Sequence, residues 1–99
     1  MKSYNAILYK SDDGKHFVAE GVEVNQVYAD NSQGLAIIGL SRALEDVIQE
    51  HQLNPKVELA GEHSEIYNKL IKRVDLKREP EQTFSRGNLL LRIHDFSGN

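Results

Sequence analysis

The hydrophobic pattern of this 99-residue chain changes its period near residue 30, and this change limits the folds open to it. Before that point, residues 3–10, 16–24 and 27–29 are rich in β-branched, aromatic and aliphatic side chains, as strands are. Asp13-Gly14 separates the first two segments and is a strong hairpin signal, because glycine adopts positive φ without a clash. The first third of the chain therefore predicts three consecutive antiparallel strands.

Residues 32–51 have the spacing of an amphipathic helix. Asp30 and Gln33 are placed as the N-cap and third residue of a capping box. Gly34 and Gly39 lie inside the helix, where each costs about 1 kcal/mol relative to alanine, so we expect close packing of the helix on the sheet there. The apolar positions that recur every three or four residues are Ile37, Leu40, Leu44, Val47 and Ile48.

The second half of the chain predicts two further strands and one further helix. Residues 56–60 read as a strand and residues 64–77 as a helix with Ser64 as its N-cap. Residues 78–87 are polar and predict a loop, and residues 89–93 read as the last strand.

The predicted fold is a single domain over residues 1–99, with the order β-β-β-α-β-α-β. A helix between two strands of one sheet implies a crossover and a parallel pair, whereas hairpins give antiparallel pairs. The fold class is therefore α/β (α+β), with one mixed sheet and helices packed on it.

Charge is distributed unevenly along the chain, although the net charge is only −3. Residues 1–65 hold five basic and eleven acidic residues, and residues 66–92 hold seven basic and three acidic residues. This balance excludes a surface that is basic throughout but not a local patch, which is either an ordinary solvated face or a contact for phosphates or an acidic partner. The predicted patch comprises Lys69, Lys72, Arg73, Lys77, Arg78 and Arg86.

Motifs for cofactors and catalysis are missing from the sequence. The absence of cysteine excludes disulfides and thiolate metal sites, and no glycine pattern predicts a phosphate-binding loop. No apolar stretch approaches the ~20 residues of a membrane span. Histidines are scattered without metal-ligand spacing, at His16, His51, His63 and His94. We therefore expect a cytoplasmic protein with no cofactor, no metal and no membrane contact.

Several segments resemble ribonuclease H domains. Residues 5–10 and 17–21 resemble a strand pair of that family, and residues 30–38 resemble the start of its first helix. Residues 56–64 resemble a strand and turn that carry a catalytic aspartate in the family. Such enzymes hold two Mg²⁺ ions with clustered carboxylates. By this resemblance, Gln33 takes the place of the family's helix-one glutamate, and Glu62 takes the place of the aspartate after the central strand. The family's first-strand aspartate has no counterpart in this sequence. It thus implies a ribonuclease H-like scaffold without catalysis.

The first 50 residues or so are also similar to HicB-like antitoxins, which carry a truncated, non-catalytic ribonuclease H-like fold. The similarity rests on residues 4–10, the turn at 12–14, the Phe-Val-Ala-Glu segment at 17–20 and the helix from about residue 32. It implies an antitoxin-like or inhibitor-like binding protein with a protein partner, and it leaves homo-oligomers open. The contact surface is a sheet edge, the basic face of the second helix or the acidic first half.

Two alternatives remain. One is a nucleic-acid-binding module that uses the predicted basic patch. The other is a residual metal-dependent nuclease that uses Glu62 and Asp95.

Overall fold

The computed structural model of this chain describes residues 2–24, 26–52 and 64–98. Within them, five strands form one mixed sheet and two helices pack against it, which confirms the predicted mixed α+β class. The elements are β1 (Lys2–Lys10), β2 (Phe17–Gly21), β3 (Val27–Asp30), α1 (Gln33–Gln52), α2 (Glu65–Leu70), β4 (Gln82–Arg86) and β5 (Leu89–Asp95).

The strand order across the sheet is β3-β2-β1-β5-β4. The first three strands are consecutive and antiparallel, as predicted, whereas β1 pairs with β5 in parallel and β4 pairs with β5 antiparallel. The central strand β1 is buried on both faces from Ala6 to Tyr9. Leu8 lies opposite Ala19 on β2 and opposite Asp95 on β5, so the carboxyl ends of β1 and β5 meet at one end of the sheet.

The hairpin between β1 and β2 has the predicted Asp-Gly turn. Gly14 has φ +71°, a backbone conformation that favours glycine. Asp13 accepts hydrogen bonds from the Ser11 hydroxyl (2.6 Å) and the Lys15 N–H (2.9 Å). These bonds stabilise the carboxylate and lower the pKa of Asp13.

Helix α1 covers one face of the sheet. Its buried side chains Ile37, Leu40 and Leu44 pack against Leu8 of β1 and Leu91 of β5. The predicted capping box is wrong, because the Ser32 hydroxyl accepts the N–H of Leu35 at 3.1 Å and caps the helix instead. Among the described residues, no helix combines the length and the apolar character that crossing a bilayer requires.

The two helix glycines have different surroundings. A Cβ on Gly39 would collide with the ring of Tyr28 on β3, so the close-packing explanation is confirmed at this position. A Cβ on Gly34 would have no atom within 4 Å, so that explanation is wrong there.

The region after α1 departs most from the predictions. The predicted strand at 56–60 lies outside the described residues. Helix α2 has the predicted N-cap, with the Ser64 hydroxyl accepting the Tyr67 N–H at 3.1 Å, but it ends at Leu70 rather than at residue 77. Ile71 and Val74 still pack on the sheet from the turns that follow, which explains their helix-like spacing.

Strand β4 lies inside the segment predicted to be a loop. It is an edge strand in which exposed Thr83 and Ser85 alternate with half-buried Gln82, Phe84 and Arg86. An edge strand with few apolar residues gives a weak sequence signal. The described elements therefore follow the order β-β-β-α-α-β-β rather than the predicted order.

Candidate functional site

Gln33 and Asp95, which are distant in sequence, meet at the end of the sheet. The side-chain amide of Gln33 donates to the Ser97 hydroxyl at 2.8 Å. The hydroxyl and N–H of Ser97 donate to Asp95 Oδ1 at 2.5 and 2.7 Å. Ser97 is 2% exposed, so this chain of bonds joins the start of α1 to the end of β5.

The groups at this corner are poorly suited to divalent ions. Hard cations such as Mg²⁺ are held by several oxygen ligands with carboxylates among them, and of Gln33, Ser97 and Asp95 only Asp95 carries a carboxylate. In the part of the chain that the structure describes, no three His, Cys, Asp or Glu residues are grouped to hold a metal ion. Glu62, the other degenerate position that the resemblance assigns, lies outside the described residues.

A buried carboxylate lies on the opposite face of the sheet, under α2. Glu20 is 2% exposed and accepts the Tyr9 hydroxyl at 2.7 Å. The Ser64 hydroxyl and N–H donate to it at 3.0 and 3.3 Å, so the cluster joins β1, β2 and the start of α2. Burial raises the pKa of Tyr9, which keeps the phenol protonated as the donor. The sequence signal for this cluster was the acidic residue within the strand FVAEG, which the sequence analysis used only for the similarity to HicB-like antitoxins and not to predict a buried cluster.

His94 is the buried end of a second chain of polar groups, which reaches the surface at Glu23. The Glu23 carboxylate accepts both the N–H (2.6 Å) and the side-chain amide (2.7 Å) of Asn5. Asn5 therefore turns its Oδ1 towards His94 Nε2, which lies 2.9 Å away and donates to it. Burial lowers the pKa of His94, so the neutral ring is favoured.

Five of the six residues predicted to form a basic patch lie within ten residues of one another. We call Lys69, Lys72, Arg73, Lys77 and Arg78 the basic segment, and all five are exposed. Within the described ranges none of them forms an ion pair, and the Arg73 guanidinium lies 5.8 Å from the centre of the Phe96 ring. Only Lys69 is on α2, because the helix ends before the others.

Arg86 lies apart from the basic segment. It is on β4 opposite Leu89, whose side chain belongs to the core under α1. Its Nε is 3.2 Å from Glu45 Oε1 on α1, so this cation is neutralised on the other face of the sheet.

An open groove of about 220 Å³ borders the basic segment. Arg92 donates to the carbonyl oxygens of Leu76 and Arg78 at 3.3 and 2.7 Å and so fixes the turn that forms one wall. Glu81 accepts the N–H of Asp95 at 3.0 Å. The groove carries both signs of charge, since it is lined by Arg73, Val74, Asp75, Arg78, Glu79, Glu81, His94 and Phe96.

A second exposed region is the β3 edge of the sheet, which is apolar at Val27, Tyr28 and Ala29 of β3 and at Leu35 of α1. The exposed fraction is 57% for Val27, 41% for Tyr28 and 52% for Leu35. Among the described residues, these three are the exposed large hydrophobic residues. Sequence reasoning named the sheet edge as one contact surface but did not single out these residues.

No protein-family model, curated protein or solved structure matches this chain. An assignment of function therefore depends on the contacts and charges of the chain itself.

Proposed function

We propose that this chain is a non-catalytic binding protein that acts on a partner protein, in the manner of the HicB-like antitoxins that its first half resembles. The observation that carries this proposal is the basic segment, whose five cations are exposed and two of which, Arg73 and Arg78, line a groove of mixed charge. Cations without a carboxylate partner among the described residues are available to a binding partner.

The corner formed by Gln33, Ser97 and Asp95 supports a role without catalysis. Two-metal hydrolysis needs several carboxylates around the ions. Here the helix-one position offers an amide, and the carboxylate of Asp95 already accepts two hydrogen bonds from Ser97. Under this proposal, the corner holds α1 against β5 and performs no chemistry.

The groove favours a protein over a nucleic acid as the partner. Asp75, Glu79 and Glu81 line it beside Arg73 and Arg78, and these carboxylates would repel a phosphate backbone. A folded protein can present charges of both signs in register with such a surface. Arg73 against the ring of Phe96 resembles the arginine and aromatic contacts that often dominate protein interfaces.

The test is capture of a partner with matched charge variants. The double variant Lys72→Glu and Arg73→Glu reverses two cations of the basic segment, whereas Lys2→Glu and Lys15→Glu reverse two exposed cations elsewhere. We expect the tagged wild type and the control to retain a stoichiometric protein from the source cells, and the basic-segment variant to retain at least about tenfold less. Equal capture by all three, or no stoichiometric protein with the wild type, contradicts the proposal.

The five exposed cations of the basic segment also favour a second candidate, a nucleic-acid-binding module. Binding of single-stranded RNA and duplex DNA at about 50 and about 200 mM salt separates the two, because phosphate contacts weaken steeply as salt rises. Salt-sensitive binding that Lys72→Glu and Arg73→Glu abolish supports this candidate, and no binding at the lower salt rejects it.

The non-catalytic role has its own test. Cleavage of an RNA–DNA hybrid with Mg²⁺ or Mn²⁺ that is lost in Glu62→Ala or Asp95→Ala would overturn it in favour of a residual nuclease.

A further inference from the structure

The two edges of the sheet differ in how well they are protected from pairing with another chain. At the β4 edge, Thr83 and Ser85 face solvent and Pro80 precedes the strand. At the β3 edge the exposed residues are Val27, Tyr28 and Ala29, with neither lysine nor proline among them. Edge strands are usually blunted by charges or proline, because an open edge is a template for another strand. Among the described residues, no strand pairs with the outer side of β3.

The hydrogen bonds of β3 show which of its backbone groups face outwards. The Gly21 N–H donates to the Gln26 carbonyl at 2.8 Å, and hydrogen-bonded pairs alternate along an antiparallel ladder. Ala19 and Tyr28 are therefore the next hydrogen-bonded pair, and the backbone of Tyr28 faces β2. The N–H and carbonyl groups of Val27 and Ala29 point away from the sheet.

The exposed side chains at this edge are uncharged on both faces, and the carboxylate of Asp30 lies at the end of β3. Tyr28 lies over Gly39 of α1, and Leu35 is one turn earlier on the same side of the helix. Val27 and Ala29 point to the opposite face, because side chains alternate along a strand. A strongly charged partner finds no complementary charge among these four residues, whereas another apolar strand does find complementary side chains.

We propose that a second copy of this chain occupies the β3 edge, so that two five-stranded sheets join into one about a twofold axis at Tyr28. In this register, Val27 of one protomer lies opposite Ala29 of its partner, and their outward backbone groups exchange both hydrogen bonds. Tyr28 lies opposite its own copy in a non-hydrogen-bonded pair, where side chains approach most closely. The Leu35 side chains flank this pair on the α1 face.

Some neighbouring registers are less favourable. A shift of the pairing by one residue places Tyr28 opposite a partner residue whose side chain points to the other face of the sheet. A shift of two residues, centred on Ala29, places each Tyr28 opposite the carboxylate of Asp30. The register centred on Tyr28 instead places Asp30 opposite Gln26, whose amide can donate to it. This dimer uses none of the basic segment, so it is independent of the partner binding proposed above.

Sedimentation velocity on the full chain, from about 5 to about 500 μM, tests the dimer. Val27→Lys adds a charge to the edge, and Ala29→Pro removes an outward N–H that makes no bond to β2. Thr83→Lys places the same charge on the opposite edge as the matched control. We expect the wild type and the control to dimerise. Both β3 variants should have a dimer dissociation constant at least about tenfold higher and should keep the wild-type circular dichroism spectrum. A monomeric wild type across this range, or β3 variants that dimerise as the wild type does, overturns the proposal.

The register has a separate test, because the chain contains no cysteine. Non-hydrogen-bonded pairs bring Cα atoms to about 4.5 Å, within reach of a disulfide. Under mild oxidation we expect Tyr28→Cys to form intermolecular disulfides far faster than Val27→Cys, with Thr83→Cys as the measure of random collision. Faster cross-linking at position 27, or at position 83, overturns the twofold register at Tyr28.

Discussion

Replacement of Tyr9 by phenylalanine tests whether the buried carboxylate cluster holds α2 against the sheet. The substitution removes one oxygen and leaves the ring in the core formed with Ile7 and Tyr67. That oxygen donates to Glu20 at 2.7 Å, and Tyr9 and Glu20 are only 4% and 2% exposed. Water therefore cannot replace the lost donor without opening the packing around it.

The size of the effect follows from these contacts. A hydrogen bond to a charged group contributes about 1.5–3 kcal/mol, and a buried acceptor that loses its donor keeps the cost of desolvation. Because Ser64 still donates to Glu20, we expect a loss near the lower end, about 1.5–2 kcal/mol. For a domain of this length, each kcal/mol lowers Tm by roughly 4–8 °C, so Tm should fall by roughly 6–16 °C.

Urea unfolding and thermal melting, both followed by circular dichroism, measure this change. Tyr4→Phe is the matched control, because Tyr4 is half-buried on the other face and its hydroxyl makes no hydrogen bond with the described residues. We expect the control to alter the free energy of unfolding by less than about 0.5 kcal/mol. If Tyr9→Phe lost no more stability than Tyr4→Phe, the hydrogen bond from Tyr9 to Glu20 would not hold α2 against the sheet.

Three further predictions concern the core and its rim. Gly34→Ala should raise the free energy of unfolding by up to about 1 kcal/mol in urea titrations, because alanine favours the helix and its Cβ meets no atom. Gly39→Ala should lower the free energy of unfolding, because displacing the packed Tyr28 ring costs about 1–3 kcal/mol and exceeds the helix-propensity gain. Since burial lowers the pKa of His94, the unfolded chain binds the proton more tightly, and stability should fall as pH drops below 6.5 until the folded ring is also protonated. Unfolding at several pH values should show a smaller fall in His94→Asn, and an unchanged fall contradicts this assignment. The partly exposed pair of Arg86 and Glu45 should couple by less than about 1 kcal/mol in a double-mutant cycle, and a larger coupling shows that the pair is better shielded than its exposure indicates.

The first half of the fold was predictable because its signals are local. The Asp13-Gly14 turn lies between the strands it joins, and the spacing of Leu40 and Leu44 needs no partner to be recognised. The end of α2 was not predictable in the same way. Ile71 and Val74 repeat at helical spacing because they are buried, and burial does not require the helix to continue.

Edge and capping details depended on competition between neighbouring groups. Asp30 and Ser32 are both good N-cap residues, and sequence alone does not decide which one caps the helix. The structure ends β3 at Asp30, where the chain still pairs with Phe17, so the cap falls to Ser32.

The sequence by itself determined the strand and helix periods, the hairpin turn, the absence of cysteine and the unequal distribution of charge, because each of these is a property of residue type and spacing. Only the tertiary structure decided which distant groups meet. The parallel pairing of β1 with β5 brings Asp95 to the end of the sheet, where Ser97 joins it to Gln33. Pairing between segments so far apart is selected by burial of the whole core, so no local pattern contains it.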